Sequence, residues 1–325
     1  MPSNLVYHVG RSGALLAHAH DDAPGIAPIT TRFKAPSLLL TLYGDALAPR
    51  GPAPLPMGTW IALACTLGLS ARHVRTSVQR LSQGDWLQAQ RVGRCSFYSS
   101  STTGQRRIAQ GEQRIFSLNT AMHEPGRWSF VVLGPQLRAS TRCNLSRELV
   151  WCGFGEIAPG VFAQHGMAPT VELQPLLDAH DARNHVWTLL NVAQSQEPVR
   201  PDARTLHPDG HCAQRLLRGW QAFVQRYHIL ADTPLQRDAK RAFTQRTQLV
   251  HEYRRLLQNH PELPFANDDT LLAVRHQARR IFAQLYLALL EPSESFLDQH
   301  IPPIDSACPT LLNRRIGALR AMLAH

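Results

Sequence analysis

One segment constrains this chain more than any other: Ser70-Ala-Arg-His-Val-Arg-Thr-Ser-Val-Gln-Arg-Leu-Ser-Gln-Gly84. Val74, Val78 and Leu81 recur at i, i+4 and i+7, which places them on one stripe of a helix. Ser70 is the residue type that caps a helix N-terminus, and Gly84 the type that ends one. At 100° per residue, Arg72, Thr76, Gln79 and Gln83 project away from the apolar stripe, with Arg75 and Arg80 on its flanks. A helix this short and this polar is not stable alone in water. It has to be held from behind by other elements, leaving guanidinium, hydroxyl and amide groups outward.

Those other elements are legible on either side. Ser37 to Tyr43 reads as a helix after Pro36, Pro49 to Pro56 as a proline-rich loop, and Met57 to Leu67 as a second helix closed by Gly68. After Gly84, Trp86 to Arg91 and Cys95 to Ser99 are strand-like runs around Val92-Gly93-Arg94, a hairpin signal. Thr102 to Phe116 returns to helix. Three helices followed by a hairpin is the order of a winged helix-turn-helix, here over residues 35–120. Residues 37–120 carry nine arginines against Asp45, Asp85 and Glu112. The exposed helix face and the Arg91/Arg94 hairpin tip suit base edges and phosphates of double-stranded DNA. An ordinary solvated helix face fits the same residues, and so in part does a compositional preference for arginine, since Lys34 and Lys240 are the only lysines.

The texture changes near Pro125-Gly126. Trp128 to Leu133 reads as a buried strand, Thr141 to Cys152 as a helix, Gly160 to Ala163 as a strand, Glu172 to His180 as a helix and His185 to Val192 as a strand. That order suggests a small α+β sandwich over residues 121–200. Residues 196–210, with Pro198, Pro201 and Pro208, read as a linker. Beyond it the chain is helical: Cys212 to Tyr227, Lys240 to Asn259, Asp269 to Leu290 and Leu311 to Leu323, a region taken as 201–325. Residues 1–34 lack periodicity and are expected to be a tail. The DNA-facing features end before Pro125, so the region beyond residue 196 is expected to serve an effector response and to make no DNA contacts.

Several function classes find no support. No apolar run approaches the roughly 18–20 residues of a spanning helix, so no membrane association is expected, and no signal peptide is read at the N-terminus. The six cysteines form no C-x-x-C pair, so reduced thiols are expected. His207-Pro-Asp-Gly-His211 holds two histidines in a loop, and His251-Glu-Tyr-Arg-Arg255 lacks the second histidine of a zincin, so no metal site is assigned. Neither G-x-S-x-G nor a P-loop occurs. No cofactor and no catalytic residue are expected.

A wider set of residues carries a resemblance. Leu38-Leu-Leu-Thr-Leu-Tyr-Gly-Asp45, Ala48-Pro-Arg-Gly51, the Arg72 to Leu87 run, Arg91-Val-Gly-Arg94, Gly126-Arg-Trp128, Gly153-Phe-Gly-Glu-Ile-Ala-Pro-Gly-Val-Phe-Ala163, Val250-His-Glu-Tyr-Arg-Arg255 and His260-Pro-Glu-Leu-Pro264 together resemble the PaaX family of bacterial transcriptional repressors, which control operons for aerobic phenylacetate degradation. The match is collinear over about residues 36–290. Two segments depart from it: the tail of 1–34, and Ala266-Asn-Asp-Asp-Thr270 where the family has a Trp-Pro-Gly segment. The resemblance implies a ferredoxin-like central domain similar to small CRISPR-associated nuclease subunits. The strand Trp128 to Gly134 lacks their Asp, so no nuclease activity is expected.

The overall expectation is an α+β multidomain chain: winged helix-turn-helix, ferredoxin-like centre and helical C-terminus. The resemblance implies a cytoplasmic, nucleoid-associated homodimeric repressor released by phenylacetyl-CoA or a related aryl-acyl-CoA. The DNA-binding candidates are Ser70, Arg72, Arg75, Thr76, Gln79, Arg80, Arg91 and Arg94. The effector-binding candidates are Trp151, His251, Tyr253, Arg254 and Arg255. Two other readings stay open: an acyl-CoA- or nucleotide-binding enzyme, and a nucleic-acid-binding protein without effector.

Overall fold

In the computed structural model, residues 33–51, 53–116, 127–165, 170–193, 212–231, 238–259, 269–301 and 309–324 are described. The expected 196–210 linker, His207 to His211, Pro125-Gly126, His260 to Pro264 and all of the expected tail except Phe33 and Lys34 lie outside these residues.

The first helix, α1 (Ala35–Leu42), starts with Pro36 in its first turn and continues through one π-helical turn at Tyr43–Leu47. A proline there loses no hydrogen bond that the helix would otherwise make. Next come α2 (Met57–Thr66) and α3 (Ala71–Gln83). The cap is formed as the sequence implied: Ser70 Oγ accepts from the His73 N–H at 3.3 Å. The strands β2 (Leu87–Val92) and β3 (Cys95–Ser100) pair in register from Leu87↔Ser100 to Val92↔Cys95. This leaves a two-residue turn in which Gly93 has φ +61°, a conformation glycine adopts without strain. The Pro49–Pro56 segment is more ordered than a loop. It contains the two-residue strand β1 (Leu55–Pro56), which pairs antiparallel with β3.

Helix α4 (Thr102–Phe116) packs its first turn directly on the backbone of Trp86. A Cβ at Gly104 would stand 2.0 Å from the Trp86 carbonyl oxygen, so only glycine fits.

The next unit runs β4 (Arg127–Leu133), α5 (Ala139–Trp151), β5 (Gly155–Ala158), β6 (Val161–His165), α6 (Thr170–Ala179) and β7 (Val186–Ala193). The sheet is antiparallel in the order β5-β6-β4-β7. Its β5 strand falls where the sequence reading assigns no element. Only four residues long, it turns into β6 through Pro159 and Gly160, the latter at φ +75°. Both helices lie on one sheet face. Val131, Leu133, Phe162 and Val186 form a core there with Leu145 and Leu149 of α5 and Leu173 and Leu177 of α6.

Four long helices complete the chain: α7 (Cys212–Ala231), α8 (Ala239–Asn259), α9 (Asp269–Asp298) and α10 (Pro309–Ala324). Their core is strongly aromatic, with Tyr253 stacked on Phe282 at 4.1 Å between ring centroids. Helix α9 runs past the expected end at Leu290, through Pro292. An internal proline costs about 3 kcal/mol, and what outweighs it is the burial of the last turns. Phe296, Leu297 and Ile301, with Phe243 of α8, sit in the same core as Leu38, Leu42, Trp60, Val74, Val78 and Leu81. The long helices therefore complete the core beneath α3.

Candidate nucleic-acid interface and the junction behind it

Burial on α3 divides as its sequence period demands. Val74 and Val78 are fully buried and Leu81 nearly so, each contributing roughly 1.5–3 kcal/mol. Arg72, Arg75, Thr76, Gln79, Arg80 and Gln83 are exposed. Two hydroxyls of the candidate set are already engaged by the helix itself. Ser70 Oγ caps it, and Thr76 Oγ1 donates to the Arg72 carbonyl at 3.1 Å.

The β2–β3 hairpin stands beside this helix with Arg91, Val92, Gly93 and Arg94 all exposed. The Arg91 Nε–H donates to the Gly93 carbonyl at 3.3 Å, stiffening the tip. None of Arg72, Arg75, Arg80, Arg91 and Arg94 has a carboxylate partner within 4.0 Å among the described residues. Five uncompensated guanidiniums on one helix and its adjoining hairpin present a field that attracts a polyanion.

The effector candidates do not form one site. Tyr253 is a core residue, enclosed by Phe282, Trp220 and Phe223. His251 is fully buried, its Nδ1 2.8 Å from Thr41 Oγ1 on α1. Burial, reinforced by Arg254 and Arg255, pushes its pKa down to about 2 and keeps it neutral. Arg254 is also buried. It donates to Thr41 Oγ1, to the Ser37 carbonyl and hydroxyl, and to Gln258 Oε1. With no carboxylate paired to it among the described residues, burial and then Arg255 lower its pKa to about 10. Its guanidinium also lies over the Trp151 ring at 5.6 Å. Trp151 and Arg254 border a cavity of about 30 Å³ between α1, α4 and α8. That volume holds a water molecule or two and no larger ligand. Arg255 points elsewhere, exposed on the other flank of α8.

Sequence reasoning missed the most heavily charged place in the interior. Asp45, in the π turn after α1, is 4% exposed and accepts from Tyr286 Oη at 2.8 Å. Arg246 of α8 lies 3.0 Å from one of its carboxylate oxygens and Arg315 of α10 lies 3.2 Å from the other. Arg315 forks onto both oxygens of Glu112 on α4, and Arg246 reaches Glu294 of α9. Burial alone would lower the pKa of both arginines. For Arg246, Asp45, Tyr286 and Glu294 more than reverse that effect; for Arg315, Tyr286, Glu112 and Asp45 do so. Burial raises the Glu112 and Tyr286 pKa values. No periodicity marks this node, because its members come from five separate elements. The only sequence trace is a lone carboxylate, Asp45, in an apolar stretch.

Comparison with known proteins bears on the same segments. One family model, PaaX-like protein, matches residues 34–104, and a second, PaaX-like protein C-terminal domain, matches residues 213–299. Transcriptional repressor PaaX of Escherichia coli (strain K12) is 29% identical over 275 residues, covering 81% of this chain and 83% of that protein. The two models and this repressor together support the PaaX family for this chain, and with it a repressor and not an enzyme. The first PaaX match contains α3 and the hairpin, and the second contains Arg246, Tyr286 and Glu294 of the buried node. Among solved structures, the uncharacterized protein Rv0674 from Mycobacterium tuberculosis aligns at a TM-score of 0.42 and 17% identity, covering 81% of this chain and 99% of that one. Among the described residues, no group of three or more His, Cys, Asp or Glu is placed to hold a metal. No helix there is long and apolar enough to cross a membrane.

Proposed function

We propose that this chain is a DNA-binding transcriptional repressor of an aromatic-acid catabolic operon of the phenylacetate type, released by phenylacetyl-CoA or a related aryl-acyl-CoA. One observation carries the DNA-binding part: the exposed face of α3 and the adjoining hairpin tip bear five arginines with no carboxylate partner among the described residues, beside Gln79 and Thr76. In this reading residues 35–120 are a winged helix-turn-helix. Helix α3 enters the major groove, with Arg72 and Gln79 reading bases, and the hairpin is the wing that meets phosphate or the minor groove. Residues 121–200 are a ferredoxin-like domain; the β-α-β-β-α-β order and the sheet order β5-β6-β4-β7 support this. Residues 201–325 sense the effector. The protein acts in the cytoplasm as a homodimer, because paired readers match a two-fold operator and double the phosphate contacts.

Release of DNA requires that the effector bind a DNA-incompetent arrangement more tightly than a competent one. The core shared by α3 and the long helices supports such a link, since a shift of α8 and α9 bears directly on the packing behind α3. The test is a gel shift on DNA upstream of the protein's own gene, with and without a panel of acyl-CoAs. Retardation reversed by an aryl-acyl-CoA supports the reading. Absence of any retardation on upstream DNA, at a salt concentration where basic proteins still discriminate sequences, rejects it.

A further inference from the structure

Between α7 and α8 the surface opens into a groove of about 320 Å³, within the range that small ligands occupy. Its floor is apolar. Phe223 is buried there, and Leu256 approaches so closely that a Cβ on Gly219 would stand 3.0 Å from its Cδ2. Exposed Ala222 keeps the middle of the groove open. The rim is charged: Arg226 pairs with Glu252 at 3.3 Å, while Arg255 has no carboxylate partner within 4.0 Å among the described residues. Phe33 closes one side, its ring 5.9 Å from the Arg255 guanidinium. An apolar floor with one net positive charge at its edge fits an apolar group whose other end is polar or anionic.

We infer that this groove is the effector site, taking the aryl-acyl end of the thioester with Arg255 at its polar end. The inference rests on the effector reading above. The volume accommodates an aryl-acyl group and not a whole CoA, so the carrier has to run out along the helices. At 100° per residue, Arg215 falls on the same side of α7 as Ala222 and Arg226, placing another arginine where the carrier's phosphates would pass.

The groove is also wired to the reader. Phe33 meets the buried His251 ring edge-on at 4.4 Å and stands two residues before α1. His251 in turn touches Thr41 of α1. The α1 residues Leu38, Leu39 and Leu42 share a core with Val74, Val78 and Leu81 of α3. A ligand that seats against Phe33 or moves it therefore changes how α1 is held, and α1 is part of what holds α3.

The experiment uses the full chain in wild-type, Ala222→Trp and Arg255→Ala forms. Binding of phenylacetyl-CoA, CoA alone and phenylacetate alone is measured by calorimetry, and operator affinity by gel shift without ligand. The expected result is thioester binding weakened at least tenfold by each substitution, with operator affinity within twofold of wild type and CoA alone at least tenfold weaker than the thioester. Equal thioester binding by all three proteins overturns the assignment and moves the site elsewhere. CoA alone binding as tightly as the thioester, and blocked by Ala222→Trp, overturns it too, because the groove would then take the nucleotide end. A wild type that holds operator but binds no thioester overturns the groove and the effector together while leaving the repressor standing. Should Ala222→Trp also lose operator binding, the surface substitution Arg255→Ala decides.

Discussion

Arg315 and Asp45 are 270 residues apart in the chain, yet their side chains meet at 3.2 Å where each is almost wholly shielded from water. A buried ion pair gives little net stability over apolar packing, but removing one partner leaves a charge stranded. Here Asp45 faces two guanidiniums. Asp45→Asn is therefore expected to destabilise the chain by about 3–5 kcal/mol, read from the denaturation midpoint in urea. A loss below about 1 kcal/mol would show that Glu112 and Glu294 suffice as counter-ions.

On α3, Arg72→Ala and Gln79→Ala are expected to reduce discrimination between operator and unrelated DNA by roughly 1–3 kcal/mol each. Both positions lie opposite the buried stripe, so stability should stay within about 0.5 kcal/mol of wild type. Competition assays check this. Unchanged specificity in both variants removes α3 as the base reader.

At the hairpin, Arg91→Ala and Arg94→Ala are expected to weaken binding to all sequences about equally. Each should lower the slope of log affinity against log salt by about one. A changed sequence preference at constant salt slope would mean that the tip reads bases instead of backbone.

His251 gives a pH signature. Its folded-state pKa is depressed from 6.5 to about 2, so the unfolded chain binds this proton more readily. The stabilisation is complete above pH 6.5 and is lost as pH falls from there towards 2, at up to about 1.4 kcal/mol per pH unit from this one group. His251→Gln is expected to show a flatter decline between pH 6 and 4 than wild type. Parallel stability curves for the two proteins would refute a buried neutral His251.

The periodic parts of the fold could be read directly. Val74, Val78 and Leu81 announced the buried side of α3, and by subtraction Arg72, Gln79 and Arg80 as its outer side. Helix α4 falls on the residues expected, Thr102 to Phe116. What escaped was decided by distant partners. Nothing local shows that α9 will continue through Pro292, since the gain comes from Phe296 and Leu297 entering a core whose other residues lie far earlier. Tyr253 and Arg254 sit in one short motif, but packing sends the first into an aromatic core and the second against α1. The β5 strand was invisible because four residues ending at a proline carry too little pattern to stand out from a loop.

The passage of α9 through Pro292 also sets when this protein can begin to work. Helix α3 has its full support only once Phe243, Phe296, Leu297 and Ile301 have left the ribosome, about two thirds of the chain's length after α3 itself. A nascent chain carries the basic face long before it can hold that face in shape. Premature stop codons in the last third of the gene are therefore expected to behave as simple loss of repression, never as repressors that ignore their inducer. Residues 35–120 grafted onto another protein would likewise carry α3 with part of its foundation missing.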